Sequence, residues 1–487
     1  MRFFEFIQAR QAANPSSEPR ELSPHPYSGP RLDGSTVRRP ADFFQPTNLW
    51  ELHLKFTARQ WADLAARRIP PVDNWISPDG TLTLRNPHAS RAGVAGSLGW
   101  DLPWSAGDVE IAGLSFTNAA IRHKGNGTFI EAISTYKKSF KLDLNEGHPG
   151  RSFARLKTIN LHNLVADRSC VADTLGYEFY RAAGVPAPRT TFARVFHSLQ
   201  GRWEHRLLGL YLIVENPDNR WAREALGADG AALFKPVSNH LFEDLGQDWE
   251  AYAEVYSPRD DPSPAQRRQL IEFCQLVSHA DRETFDRRLG EFVDLDAAAR
   301  FFACEALLAN LDGILMNGQN FVVWLDPQSN RLGFSPWDLD HSWGEFSLVG
   351  SVSERERLSL FHPWVGKNRF LERLYAAPEF ETRYRRELAR LLETLFLPDR
   401  LHQRIDELAA ILRPAVAEES EERLQSFEDA LRAPEAPSAD ADPDEKKRSN
   451  EDPKYRIKRF IQVRAVEARD QLDGRSSGAQ LKRRGPW

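Results

Sequence analysis

The chain has 487 residues, 41% hydrophobic and 27% charged, with 13 Trp and 29 Phe; this excludes a disordered protein and predicts one large elaborated domain or two joined lobes. Its 64 basic and 69 acidic residues leave a formal charge of -5, which offers no global footprint for nucleic acid or an anionic membrane, so neither is an expected partner. Three widely spaced cysteines, Cys170, Cys274 and Cys304, exclude a disulfide framework and a four-cysteine zinc site.

In chain order, MRFFEFIQARQAANP holds a short apolar patch broken by Glu5, with no signal-length core behind it, and no apolar run reaches membrane-spanning length. A cytoplasmic location is the expectation. Residues 1–48, rich in Pro, Ser and Arg from about Ala12 to Gln45, predict a disordered leader. LWELHLKF (Leu49 to Phe56) alternates as a strand, and TARQWADLAARR (Thr57 to Arg68) follows as a Thr-capped helix. PDGTLTL, RAGVAGSLGWDLPW and VEIAGLSFTNAAIRHKGNGTF read as strand-rich with glycine turns.

STYKKSFKLDL (Ser134 to Leu144) reads as a strand carrying Lys137, Lys138 and Lys141. DRSCVADTLGYEFYRAAGVPAP (Asp167 to Pro188) reads as an Asp-capped amphipathic helix, stopped by Gly184 and the prolines. The strands TFARVF and HRLLGLYLIVE follow, the second ending at Glu215. From Pro262 the helical period dominates, interrupted by a β-rich island in LDGILMNGQNFVVWLDPQSNRLGFSPWDLDHSWG (Leu311 to Gly344). Residues 433–453 predict a charged flexible linker, and KRFIQVRAVEARDQL a last helix docked on the body within 454–487. The strand-rich half is assigned to a lobe at about 49–217 and the helix-rich half to a lobe at about 218–432.

The island carries a surplus of short acids and amides. Asn320, before the apolar run Phe321 to Leu325, and Asp338, after Phe334 to Trp337, meet if the runs pair as a hairpin across Asp326 to Arg331. An amide oxygen and a carboxylate so joined are reasonable Mg²⁺ ligands. Asp312, at a turn after a helix, suits a carboxylate presented to a substrate. Arg122 and Lys124 in RHKGNG, with bare glycine backbone beside them, suit an anion. Strand alternation puts Lys137 and Lys141 on one face and Lys138 on the other, with Phe140, Leu142 and Leu144. Only one of these faces can point into a cleft, so Lys138 or Lys141 is the candidate to hold an anion there. Lys138, on the apolar face, needs an anionic partner, for which Glu178 is chosen. Glu215, Lys235 and Arg168 are further ligand candidates, and His123 and His341 are read as supporting residues. No H-E-x-x-H, G-x-S-x-G or G-x-x-x-x-G-K-[ST] occurs, which excludes the corresponding zinc, serine and P-loop chemistries.

With IRHKGNGTF, KKSFKLDL, the DRS-to-EFYRAAGVPAP helix, GLYLIVE, NLDG, NFVVWLDP, SPWDLDHSWG and FIQVRAVEARDQLDG, the chain resembles the spore-coat CotH-like atypical protein kinases. The resemblance implies an α+β, two-lobed, protein-kinase-like fold. It implies transfer of the ATP γ-phosphate to Ser or Thr of a protein substrate, with Mg²⁺ or Mn²⁺. Asp312 then looks like the catalytic-loop carboxylate, Asn320 and Asp338 like metal ligands, and Asp340 like a second ligand or loop support. Asn317 competes with Asn320 at ordinary kinase spacing; NFVVW, which matches the start of the family's strand, favours Asn320. In many members the stretch from the first Asp to the Asn is shorter and often holds a His, whereas here it is GILMNGQ. An inactive assembly protein on the same fold, or AMP transfer, are the alternative functions.

Overall fold

The computed structural model describes residues 27, 29–69, 100–227, 229–237, 241–316, 318–433 and 453–482. The expected linker, most of the leader, the PDGTLTL stretch and Asn317 lie outside them.

The strands β1 (Leu49–Phe56), β2 (Arg67–Arg68), β3 (Trp100–Asp101), β4 (Trp104–Ile111), β5 (Leu114–His123), β6 (Phe140–Asp143), β7 (Thr158–His162), β8 (Thr190–Leu199) and β9 (Trp203–Val214) make up the first half. β2 and β3 pair with each other; the rest close into a barrel in the order β1-β4-β5-β6-β7-β9-β8. Closure comes from parallel pairing of β1 with β8, from Leu49 opposite Phe192 to Phe56 opposite Leu199. Alternation along the strands sends Leu52, Leu54, Ile111, Ile121, Phe140, Leu142, Leu161 and Ile213 into one apolar cluster.

Helices α1 (Pro40–Phe43), α2 (Ala58–Asp63), α3 (Gly127–Glu131) and α4 (Ala172–Ala182) decorate this half. The second half holds α5 (Asn219–Leu226), β10 (Ala232–Phe234), α6 (Trp249–Tyr256), α7 (Pro264–His279), α8 (Arg282–Phe292), α9 (Leu295–Leu307), β11 (Phe321–Leu325) and β12 (Leu332–Pro336). It continues with α10 (Val352–Glu356), α11 (Arg369–Tyr375), α12 (Pro378–Thr394), α13 (Pro398–Glu419), α14 (Glu421–Leu431) and α15 (Ile457–Leu472). The fold is thus α+β, a large sheet in the N-terminal half and helices in the C-terminal half. Among the described residues no helix is long and apolar enough to cross a membrane.

Three details depart from the sequence reading. Residues 29–48, expected in the leader, are folded: Phe43 and Phe44 are buried, and the Phe43 ring meets Trp50 and Phe153. The aromatic pair in PADFF supplies the apolar surface that the Pro- and Arg-rich composition masks. The KKSFK strand begins only at Phe140, so Lys137 and Lys138 lie in the loop before it. Asp167 caps α4 from a distance, accepting the Ala172 N–H at 2.9 Å; the helix starts at Ala172 and Asp173 falls in its first turn.

The two halves are joined through buried charge. On α13, Glu418 takes Arg194 of β8 in two bonds of 2.6 Å, and Glu419 takes Lys137 at 2.7 and 2.6 Å. Glu419 also accepts the Leu210 N–H at 2.6 Å. A Cβ at Gly209, where φ is +132°, would lie 2.7 Å from that carboxylate, so only glycine admits it.

Candidate functional site

The β11–β12 hairpin forms as the two apolar runs require, in register from Phe321 opposite Pro336 to Leu325 opposite Leu332. Its turn is closed by Asp326, whose carboxylate accepts the N–H groups of Gln328 and Ser329. At the open end stand Asn320 and Asp338, both left-handed, with φ of 57° and 58°. Asn and Asp are the side-chain types that tolerate this backbone best. The Trp337 N–H donates to the Asn320 carbonyl at 3.1 Å. Asn320 Nδ2 donates to the Asp312 carbonyl at 3.0 Å and to its Oδ2 at 2.9 Å. The hairpin and the turn after α9 thus bring Asp312, Asn320 and Asp338 onto one cleft of 330 Å³, with Asp340 and His341 beside them.

Cations line the same cleft: Arg122, Lys124, Lys141, Lys235 and Arg259. Arg122 on β5 stands directly across from Lys141 on β6, a like-charge pairing that costs stability unless an anion intervenes. Burial and then the charges of Arg259, Arg122 and Lys124 push Lys141 down to about 8. Burial pushes Lys124 to about 8 against the pull of Asp338, and burial with Arg259 holds Lys235 well below the usual lysine range. Lys124 and Lys235 both lie against the Trp337 ring, at 5.3 and 5.2 Å from its centroid. Lys235 reaches it because β10 pairs with β11, Phe234 opposite Val323.

Adjoining the cleft, a partly open space of 20 Å³ is lined by Lys124, His162, Asp173, Asp338 and Asp340, enough for one water or ion. Asp173 is 1% exposed. Its Oδ1 accepts the Leu339 N–H at 2.7 Å, while Oδ2 is buried without a hydrogen-bond partner. His162 Nδ1 lies 3.4 Å from Asp338 Oδ1, and His162 Nε2 meets Lys124 Nζ. One ligand atom each from His162, Asp173 and Asp338 fall within 4.8 Å of one another. Burial and the Asp338 charge raise Asp173. Asp338 is held low although burial opposes it, because His162, Lys124 and Lys235 face it. Asp340 is raised by burial and by Asp338 and Asp173, against His341. The orphaned Asp173 oxygen beside two further donors fits a divalent cation, with hard carboxylate oxygens and one imidazole as its ligands.

Eight expected residues therefore converge: Arg122, Lys124, Lys141, Lys235, Asp312, Asn320, Asp338 and Asp340. Four others do not line the cleft. Lys138 Nζ is spent on the carbonyls of Ala132, Ile133 and Thr135, at 2.7, 3.1 and 2.7 Å, because it sits in a loop rather than the strand. Glu178 faces away from it and binds Arg404 of α13 in two bonds of 2.9 and 2.7 Å. Glu215, 1% exposed, is held by Arg189 at 2.8 and 2.5 Å and by Arg220 at 2.9 Å, leaving it a structural anchor. Arg168 is exposed. Sequence reasoning missed His162, Asp173, Arg259 and Trp337. Asp173 had one signal, an acid in the helix expected to supply the lysine's partner.

The chain is similar to known proteins on three counts. A family model described as "CotH kinase protein" matches residues 121–467. Inner spore coat protein H of Bacillus subtilis (strain 168) is 23% identical over 284 residues, 58% of this chain and 74% of that protein. Among solved structures, the Shewanella oneidensis MR-1 toxin–antitoxin complex of HipA, HipB and operator DNA aligns at a TM-score of 0.22 and 12% identity. That alignment covers 65% of this chain and 59% of that one.

Proposed function

The chain belongs to the CotH kinase protein family, and from that premise and the cleft we propose that it transfers the γ-phosphate of ATP to a Ser or Thr hydroxyl of a protein. The family carries the coarser statement, a kinase-like function that uses a nucleotide and a divalent metal. The observation that supports the finer one is that a single cleft gathers five cations, Arg122, Lys124, Lys141, Lys235 and Arg259, together with Asp312, Asn320 and Asp338.

In this reading Arg122, Lys124, Lys141 and Lys235 hold the polyphosphate, whose charge offsets the burial, and then the mutual repulsion, that depress the lysines. Of the two lysines first considered for phosphate, Lys141 lines the cleft and Lys138 does not; Lys124 with Asp173 takes the paired role first given to Lys138 with Glu178. His162, Asp173 and Asp338, with Asn320 beside them and Asp340 behind, would hold a divalent cation, which would supply charge neutralisation along the phosphates. Asp312 orients the acceptor hydroxyl and takes its proton as the new O–P bond forms and the bond from the γ-phosphorus to the β–γ bridging oxygen breaks, releasing ADP. Its carboxylate is fixed for this by the Asn320 amide.

The test incubates purified protein and an acceptor protein with γ-labelled or α-labelled ATP and Mg²⁺ or Mn²⁺, beside Asp312→Ala and Asp338→Ala. Label from the γ position that both variants lose is the expected result. Label from the α position replaces the reading with AMP transfer. Absence of nucleotide binding by calorimetry, with either metal, leaves the fold as an assembly scaffold.

A further inference from the structure

Glu305 is a buried acid that no step above uses. It lies on α9, wholly enclosed. Its Oε1 accepts the Tyr180 hydroxyl at 2.5 Å, and both carboxylate oxygens lie 3.2 Å from Asn310 Nδ2. The Asn310 N–H also donates to the Glu305 carbonyl at 3.0 Å. Gly313, the residue after Asp312, rests its bare α-carbon on this pair. A Cβ there would stand 3.0 Å from Asn310 Nδ2 and 3.2 Å from Glu305 Oε2, closer than ordinary packing allows.

Tyr180 belongs to a face of α4 that also carries Tyr177 and Asp173, at helical spacing. Tyr177 Oη accepts the Asp338 N–H at 2.8 Å, and Asp173 accepts the Leu339 N–H. One helix face thus reaches both the Asp338 segment directly and the Asp312 turn through Glu305.

Resting on the roles given above to Asp312 and Asp338, we propose that Glu305 is a positioning residue: it clamps the Asp312 turn and, through Tyr180, ties it to the helix face that holds Asp338. Asp312 and Asp338 then keep one separation. Burial lifts Glu305 to about 8 against the bonds from Tyr180 and Asn310, so near neutral pH it mostly carries a proton. A glutamine is accordingly a close replacement. Its amide nitrogen can donate to Asn310 Oδ1, which is buried without a partner, once the Asn310 amide turns over.

The experiment compares the full chain with Glu305→Gln, Glu305→Leu and the milder Tyr180→Phe by amide hydrogen exchange. The Leu and Phe variants are expected to exchange about tenfold faster over 308–318, the scale of one buried bond, with barrel strands unchanged. Glu305→Gln is expected to stay within about twofold of the parent. Equal exchange over 308–318 in all four proteins overturns the proposal, as does acceleration spread evenly over the barrel. This readout needs no phosphoryl transfer, so a parent silent with labelled ATP refutes the kinase reading without touching it. Where the parent transfers label, Tyr180→Phe is expected to lower kcat and keep the KM for ATP; a rise in KM alone overturns the clamp.

Discussion

Asn320 places its amide nitrogen 2.9 Å from the Asp312 carboxylate, so the proposed metal ligand and the proposed acceptor-orienting acid are one hydrogen-bonded unit at the mouth of the hairpin. Removing Asn320 therefore both releases Asp312 and opens the metal side. Asn320→Ala and Asp312→Asn should each lower kcat about 10²–10⁴-fold, the range for loss of general acid–base function; Asp312→Asn should melt near the parent, and Asn320→Ala below it, because alanine is strained at a φ of 57°. A matched pair of rate and melting measurements checks this; full activity in Asp312→Asn removes it from the mechanism.

Lys124 and Lys138 should separate cleanly. Lys124→Met is expected to weaken ATP binding about tenfold or more, a loss of 1.4 kcal/mol or above, and to change the emission of Trp337, against which Lys124 lies. Lys138→Met leaves three carbonyls without their donor and should cost about 1–3 kcal/mol of stability with nucleotide affinity intact. Calorimetric titration and thermal melts read the two effects; the opposite assignment would restore Lys138 to the cleft.

The donor set of His162, Asp173 and Asp338 mixes one imidazole with carboxylates. Mn²⁺ should therefore bind more tightly than Mg²⁺, and His162→Ala should narrow the difference about tenfold. Electron spin resonance of Mn²⁺, with Mg²⁺ as competitor, measures both constants. An unchanged Mn²⁺ preference in the variant takes His162 off the metal.

Stability should fall in mild acid through the barrel histidines. Burial, then Lys138 and His197, hold His123 at about 3; burial and His53 hold His197 at about 3. Both folded values lie below the ordinary 6.5, so the unfolded chain binds the protons. Stability is full above pH 6.5 and declines as pH falls from 6.5 towards 3. At pH 5 each contributes a loss of about 2 kcal/mol. Melts between pH 7.5 and 5 should show the drop, and His197→Phe should flatten it; equal slopes in parent and variant would locate the acid sensitivity elsewhere.

The hairpin and its three polar residues are legible in the sequence because turn residues separate two apolar runs, and pairing then leaves Asn320 and Asp338 only one place to be. Lys138 is misread for a specific reason: alternation counts correctly only inside a strand, and the strand begins two residues later, at Phe140. Asp173 is hidden because an acid in the first turn of a helix is an ordinary partner of the helix dipole. Its burial against Leu339 is set by a segment 166 residues further on. Glu178 looked the better partner, yet it projects from α4 towards Arg404, whereas Asp173, Tyr177 and Tyr180 share the face that serves the cleft.

The buried pairs Arg194–Glu418 and Lys137–Glu419 also impose an order of assembly. Every strand of the barrel has been synthesised once Val214 has emerged, but Glu418 and Glu419, the α13 partners of Arg194 and Lys137, lie some 200 residues downstream, on the order of 10–40 s later at ordinary translation speeds. In that interval Lys137 lacks its carboxylate partner, and Arg194 has only Glu51 of β1, at 3.3 Å. The charge pairing of the barrel with α13 is thus its last to form, and a ribosome stalled before residue 418 would display a strand-rich half with Lys137 still lacking Glu419.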